Sequence, residues 1–113
     1  MKSSEIRFKI ELDDENVPEK IFWQATDSPV KGLEETKAIN ISIWDQKFRE
    51  TLRIDLWSKE MPVDEMKKFY VDTIGGMANS LRTSTDDNFM ADEMEKLCNT
   101  LVAYLKEGEK KDK

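Results

Sequence analysis

Residues Lys37–Glu65 read KAINISIWDQKFRETLRIDLWSKEMPVDE. Two runs in this stretch alternate with the period of a β-strand, which sends successive side chains to opposite faces. In the first, Ile39, Ile41 and Ile43 share one face, and Ala38, Asn40, Ser42 and Trp44 share the other. In the second, Thr51–Trp57, Leu52, Ile54 and Leu56 stand against Arg53, Asp55 and Trp57. The aliphatic faces coincide only if odd positions of the first run pair with even positions of the second. Partner numbers adding to about 95 leave a short turn over Asp45–Glu50. That register sets Ile43 opposite Leu52, Ile41 opposite Ile54 and Ile39 opposite Leu56. Ser42 then faces Arg53, and Asn40 faces Asp55, on a polar outer side. The segment therefore predicts an antiparallel hairpin with one dry face and one wet one.

Upstream, residues 5–12 (EIRFKIEL) alternate strictly, with Ile6, Phe8, Ile10 and Leu12 on one face. Asp13–Asn16 are turn formers, and Pro18 keeps Val17 out of a helix. A further strand is predicted over Ile21–Thr26, where Phe22 and Trp23 fall on opposite faces and leave its inner side undecided. Residues 27–36 carry no apolar period and read as a surface loop. Downstream, Pro62 suits the first position of a helix, with Asp64 and Glu65 in its first turn. Val63, Met66, Tyr70, Ile74, Met77 and Leu81 recur at helical spacing. Gly75-Gly76 interrupts this stripe, and close packing or a mild kink is its expected explanation. Residues 82–88 end the helix, with Thr85 or Asp86 as the cap of a second one over about 87–107. Met90, Met94, Leu97, Cys98, Leu101 and Leu105 form its apolar side, and Gly108 marks its expected stop. The expectation is an α+β fold of order ββββαα. One four-stranded antiparallel sheet is followed by two helices packed on one of its faces, as a single domain over 1–108 with a frayed charged tail over 109–113.

With 38% hydrophobic and 37% charged residues, the composition is that of a folded domain with a heavily charged surface. The net charge of -6 is spread along the chain, so the basic footprint of a nucleic-acid binder is missing. The start has no apolar signal segment and no run is long enough to span a bilayer, so a cytoplasmic location is expected without membrane insertion. A single cysteine, Cys98, agrees with a reducing compartment. The chain has no histidine, which removes the commonest general acid–base group and most transition-metal sites. The acidic pairs Asp13-Asp14 and Asp86-Asp87 fit turns and caps and lack a calcium-loop spacing. Cys98 lies on an apolar stripe with no activating base. Gly75-Gly76 lacks the lysine and hydroxyl residue of a phosphate loop. No catalytic, cofactor or metal residues are assigned, and an enzyme is not expected.

The aromatic residues offer the remaining lead. Trp44 and Trp57 project from the polar face of the predicted hairpin. An outward tryptophan either marks a contact surface or closes over a loop or sheet end. The register separates the two rings by about 20 Å, so they make two points and not one patch. Trp44 shares the hairpin tip with Phe48, and Trp57 lies at the sheet-to-helix corner. Trp44, Phe48 and Trp57 are thus the candidate partner-binding residues.

The segments EIRFKIELDDENVPEKIFWQA, KAINISIWDQKFRETLRIDLWSKEMPVDEMKKFY and STDDNFMADEM resemble the gliding motility-associated GldC family of Bacteroidetes. The block SIWD, TLRIDLW and MPVDEM carries most of that resemblance, which runs over nearly the whole chain. It implies a small cytoplasmic, non-enzymatic accessory protein of the gliding machinery. Its partners would be proteins of that machinery, which is linked to type IX secretion. The family supplies no catalytic motif to place on these residues. The element order also resembles the export chaperone SecB, so an oligomeric holdase is an alternative, and a small-ligand-binding domain is a second. A homodimer is compatible with each of these readings.

Overall fold

A computed structural model describes residues 2–111. The chain divides into two compact units, Met1–Pro62 and Val63–Lys113. The first holds β1 (Ile6–Leu12), β2 (Pro18–Ala25), β3 (Glu34–Thr36), β4 (Ala38–Asp45) and β5 (Glu50–Trp57). The second holds α1 (Val63–Thr85) and α2 (Asn88–Lys111). The α+β class stands, but the single four-stranded sheet does not. There are two antiparallel sheets, one of order β1-β2-β3 and one of β4-β5 alone. The reason lies in the segment read as a loop. Its last residues form β3, which pairs with β2 through Ile21↔Thr36 and Trp23↔Glu34. That strand takes the edge of β2, and after Lys37 the chain begins a second sheet.

The β4–β5 register is the one that parity dictates: Ile39↔Leu56, Ile41↔Ile54, Ile43↔Leu52, Ser42↔Arg53 and Asn40↔Asp55. In the first sheet Ile6↔Ala25, Phe8↔Trp23 and Ile10↔Ile21 are opposite one another, so Trp23 joins the aliphatic face and Phe22 joins Lys9. A bulge between Glu11 and Leu12 brings Leu12 opposite Pro18. The best-buried residues of this unit are Ile21, Ala38, Ile39 and Ser58. They lie where the base of the β4–β5 ribbon meets β2.

Lys59 fastens that junction. Its backbone N–H donates to the Pro18 carbonyl (3.3 Å), and its ammonium donates to Asp13 Oδ2 (2.9 Å). Asp13 Oδ1 accepts in turn from the N–H groups of Glu15 (2.8 Å) and Val17 (3.0 Å), organising the β1–β2 turn. Asn16 completes that turn in the left-handed region, which asparagine tolerates. At the other end of the ribbon, Arg49 takes the same region, with φ 57°. Its N–H donates to the Asp45 carbonyl (2.7 Å) and closes the hairpin.

The helices run further than the sequence suggests. Asp86, with φ 58°, ends α1, and Asp87 is the cap of α2, its carboxylate accepting from the Met90 N–H (3.0 Å). The cap is thus one residue beyond the expected Thr85 or Asp86. Gly108 does not stop α2, which continues to Lys111. Asp112 and Lys113, the end of the predicted frayed tail, lie outside the described residues.

Two outcomes follow from these contacts. The Lys59 hydrogen bond, with those from the Val17 and Glu15 N–H groups, holds the Asp13 carboxyl at about 2, below its usual 3.8. A depressed carboxylate stabilises the fold above its unfolded value and loses that contribution as pH falls through its folded value. Thermal midpoints measured by circular dichroism should therefore drop between about pH 4 and pH 2, and Asp13→Asn should flatten that part of the profile while lowering stability at neutral pH. An unchanged profile in Asp13→Asn would remove the residue from this role. At the hairpin tip, a left-handed backbone costs an ordinary residue roughly 1–2 kcal/mol, against about 0.5–1 kcal/mol of extra chain entropy for glycine. Arg49→Gly should accordingly raise stability by about 0.5–1 kcal/mol in urea titration. A lowered midpoint would mean that the Arg49 side chain itself contributes more than the strain costs.

Candidate interaction surface

The β4–β5 ribbon displays its candidate residues openly: Trp44 is 61% exposed, Phe48 68% and Trp57 52%. Trp44 lies opposite Thr51 and Trp57 opposite Ala38, at opposite ends of the ladder. The structure therefore keeps the tryptophans apart, with Phe48 at the Trp44 end. Asp45 builds that tip: its Oδ1 accepts from the N–H groups of Lys47 (2.9 Å) and Phe48 (3.2 Å). The Lys47 ammonium stands 5.6 Å from the centre of the Phe48 ring. Between the tryptophans the outer face is polar. The Asn40 amide donates to the Asp55 carboxylate, which also accepts from Arg53 (3.1 Å). The aliphatic side is dry only at its base, because Ile39 is buried whereas Ile43, Leu52 and Ile54 are exposed.

A second apolar surface lies on the helical unit, and sequence periodicity located it only in part. The fully buried residues of α1 and α2 are Val71, Ala78 and Ala91, none on a predicted stripe, whereas Ile74, Leu81, Met94, Cys98, Leu101 and Leu105 of those stripes are half-buried. Gly75 belongs to the same seam, since a methyl group there would stand 3.4 Å from Cys98 Sγ. The Cys98 thiol donates to the Val71 carbonyl at 3.6 Å. A methyl group at Gly75 would make ordinary van der Waals contact and one at Gly76 meets open space, so close packing requires glycine at neither position. On the charged side of the hairpin Arg82 donates to Asn88 (2.8 Å), Asp92 (2.8 Å) and Glu95 (3.0 Å), joining the end of α1 to the first turns of α2.

Part of each predicted stripe lies beside this seam. Tyr70, Ile74 and Met77 each precede a seam position (Val71, Gly75, Ala78) by one residue. Met90, Leu97 and Tyr104 likewise precede Ala91, Cys98 and Leu105. One residue is a rotation of about 100°, and an antiparallel pair keeps equal offsets from its seam on the same side. Tyr70, Ile74 and Met77 of α1 and Met90, Leu97 and Tyr104 of α2 therefore fall on one face of the hairpin. Val63, Tyr70 and Met77 repeat every seven residues, as do Met90, Leu97 and Tyr104, and all six are exposed. A seven-residue apolar spacing is the seam that helices use to pack on another helical layer.

Among the described residues, no helix is long and apolar enough to cross a membrane, and no cluster of cysteine and acidic side chains is placed to hold a metal ion. A hollow of about 240 Å³ lies beside β1, lined by Glu5, Arg7, Gln24, Thr26 and Lys31 among others. Arg7 is engaged there by Glu5 at 3.2 Å. It is a polar surface depression, not an apolar ligand cavity.

The fold and its surfaces define a small α+β protein with exposed apolar faces on both its sheet unit and its helical unit. Residues 18–107 match the family described as gliding motility-associated protein GldC-like. The chain belongs to that family. No curated protein and no solved structure matches it.

The seam and the open face are distinguished by substitution. Ala91→Leu puts a larger side chain into a filled contact and should cost about 1–3 kcal/mol in urea unfolding. Leu97→Lys, about 100° around the helix from the seam, should change stability by less than about 0.5 kcal/mol. The reverse order of effects would show that the helices pack through the stripes.

Proposed function

We propose that this protein is a non-enzymatic accessory factor of the gliding machinery that acts by protein–protein contact, in assembly or stability of that machinery. The observation that carries this reading is the apolar face shared by both helices, exposed along two seven-residue repeats. Exposed apolar surface in contiguous patches marks interaction sites in proteins of this size. Tyr70 and Tyr104 add the residue type most useful at such sites, an apolar ring with a polar end. The Trp44–Phe48 tip and Trp57 supply two further, separate points of contact on the sheet unit. Family membership supports gliding motility as the process. A cytoplasmic location and a connection to type IX secretion belong to the same reading.

The partner is sought by affinity capture of the tagged chain from gliding cells. The wild type is run beside Met77→Glu/Leu97→Lys on the helical face, Trp44→Ala at the hairpin tip and Trp57→Ala at the ribbon base. The expected result is retention of a motor or envelope component of the gliding apparatus by the wild type and its loss, at least tenfold, in the helical-face variant. Recovery of no such component, or equal recovery by every variant, would count against the proposal.

A further inference from the structure

The outer edge of β4 is open in a way that few natural strands are. In β4–β5 the Ser58 N–H donates to the Lys37 carbonyl at 2.8 Å. This makes Lys37 and Ser58 a hydrogen-bonded pair, so by alternation the odd-numbered residues of β4 turn their backbone groups toward β5. The even-numbered ones, Asn40, Ser42 and Trp44, turn theirs outward. Among the described residues, no strand and no backbone group pairs with them there. Only the lower end is occupied, where Ala38 is buried and its carbonyl accepts from the Thr36 hydroxyl at 3.2 Å.

Natural edge strands discourage pairing with lysine, proline, inward charges or bulges. From Ala38 to Trp44 (AINISIW) β4 has none of these, and no charge at all. The outer half of the ribbon, beyond its anchored base, is a two-stranded segment, and such a segment gains stability from a further strand.

From this edge we infer that the protein dimerises by antiparallel pairing of β4 with β4 of a second copy, about a two-fold axis at Ser42. The uncharged strand is complementary to itself in this register, which argues for a second copy as the occupant. With Ser42 facing its own copy, Asn40 faces Trp44 of the second chain, and the outward-turned groups of all three form about six backbone bonds. Ile41 then faces Ile43 of the other copy, so the two aliphatic faces become one. No charged residues of like sign are opposed within β4, and the buried Ala38 end stays clear of the contact. The product is a four-stranded sheet of order β5-β4-β4-β5 with a continuous aliphatic face. This goes beyond the proposed partner contact, because it uses backbone groups at an edge and neither the helical face nor the ring of Trp57.

Sedimentation velocity of the full chain at high micromolar concentration tests it. The wild type should sediment at twice the 13.2 kDa chain mass. Ser42→Pro should be monomeric with an unchanged circular dichroism spectrum, because the N–H it removes points away from β5 and proline is tolerated at such an edge. As a second measurement, Ser42→Cys in a Cys98→Ala background should form a disulfide-linked dimer under mild oxidation, since facing residues of a hydrogen-bonded pair stand about 5.5 Å apart. Arg53→Cys, on the outward side of β5, should not. A wild type that remains monomeric would overturn the inference. So would a dimer that persists in Ser42→Pro, or one in which Arg53→Cys cross-links as readily as Ser42→Cys. If Ser42→Pro loses its native spectrum, the cross-linking pair decides alone.

Discussion

A two-stranded ribbon cannot bury its own aliphatic face, and the sheet unit is arranged around that constraint. Its lower end is solved within the chain. Ala38 and Ile39 are buried there with Ile21 of β2, and Ser58 is sealed beside them. Lys59 then ties the end of β5 to the β1–β2 turn through Pro18 and Asp13. The upper end has no such solution among the described residues. Ile43, Leu52 and Ile54 remain exposed above a well-anchored base. At about 25 cal/mol per Å² of apolar surface, covering these side chains is worth several times a solvent-exposed ion pair such as Arg7–Glu5, whose value is roughly 0–1 kcal/mol. Pairing at the β4 edge covers these side chains only at their flanks, so association there is driven by backbone strand pairing with partial apolar burial, and charge plays a minor part.

The helical unit repeats the situation in another geometry. Small residues, Ala78 and Ala91, are buried deepest between α1 and α2, with larger apolar side chains half-buried around them. Val63, Tyr70, Met77, Met90, Leu97 and Tyr104 are left exposed on one face. A net charge of -6 keeps such a molecule from indiscriminate association while leaving specific contacts available. Membership of the GldC-like family places these surfaces in the context of gliding motility. A protein whose apolar side chains are arranged in register and left uncovered is suited to docking, and that is the basis on which we propose an assembly role.

How much of this could be read from residues alone depended on the size of the signal. The β4–β5 register was legible because strand parity admits no half-measure: a slip of one residue would put every isoleucine on the wet face. The separation of Trp44 from Trp57 followed directly from that register. β3 was not legible, since a three-residue strand reading Glu-Glu-Thr has no period and exists only because β2 offers an edge to pair with. Missing it turned two sheets into one. The helix seam was legible only in part: Cys98 and Leu105 were on the predicted stripe, but periodicity weights large side chains and passed over the small residues that are buried deepest. Val71, Ala78 and Ala91 lie one residue along from positions that looked like the core. Asp87 displaced the expected cap because Asp86 takes the left-handed turn that ends α1. Gly108 had no turn to make and left α2 unbroken.

Residue-resolved amide hydrogen exchange along β4 measures the central claim most directly, because parity separates the inner ladder from the outer edge. The N–H groups of Ile39, Ile41 and Ile43 bond within the ribbon and should be protected at any protein concentration. Those of Asn40, Ser42 and Trp44 face outward and should gain protection as the concentration rises, when a second copy completes the sheet. Free exchange of these three amides at every concentration, with the isoleucines protected, would contradict the account.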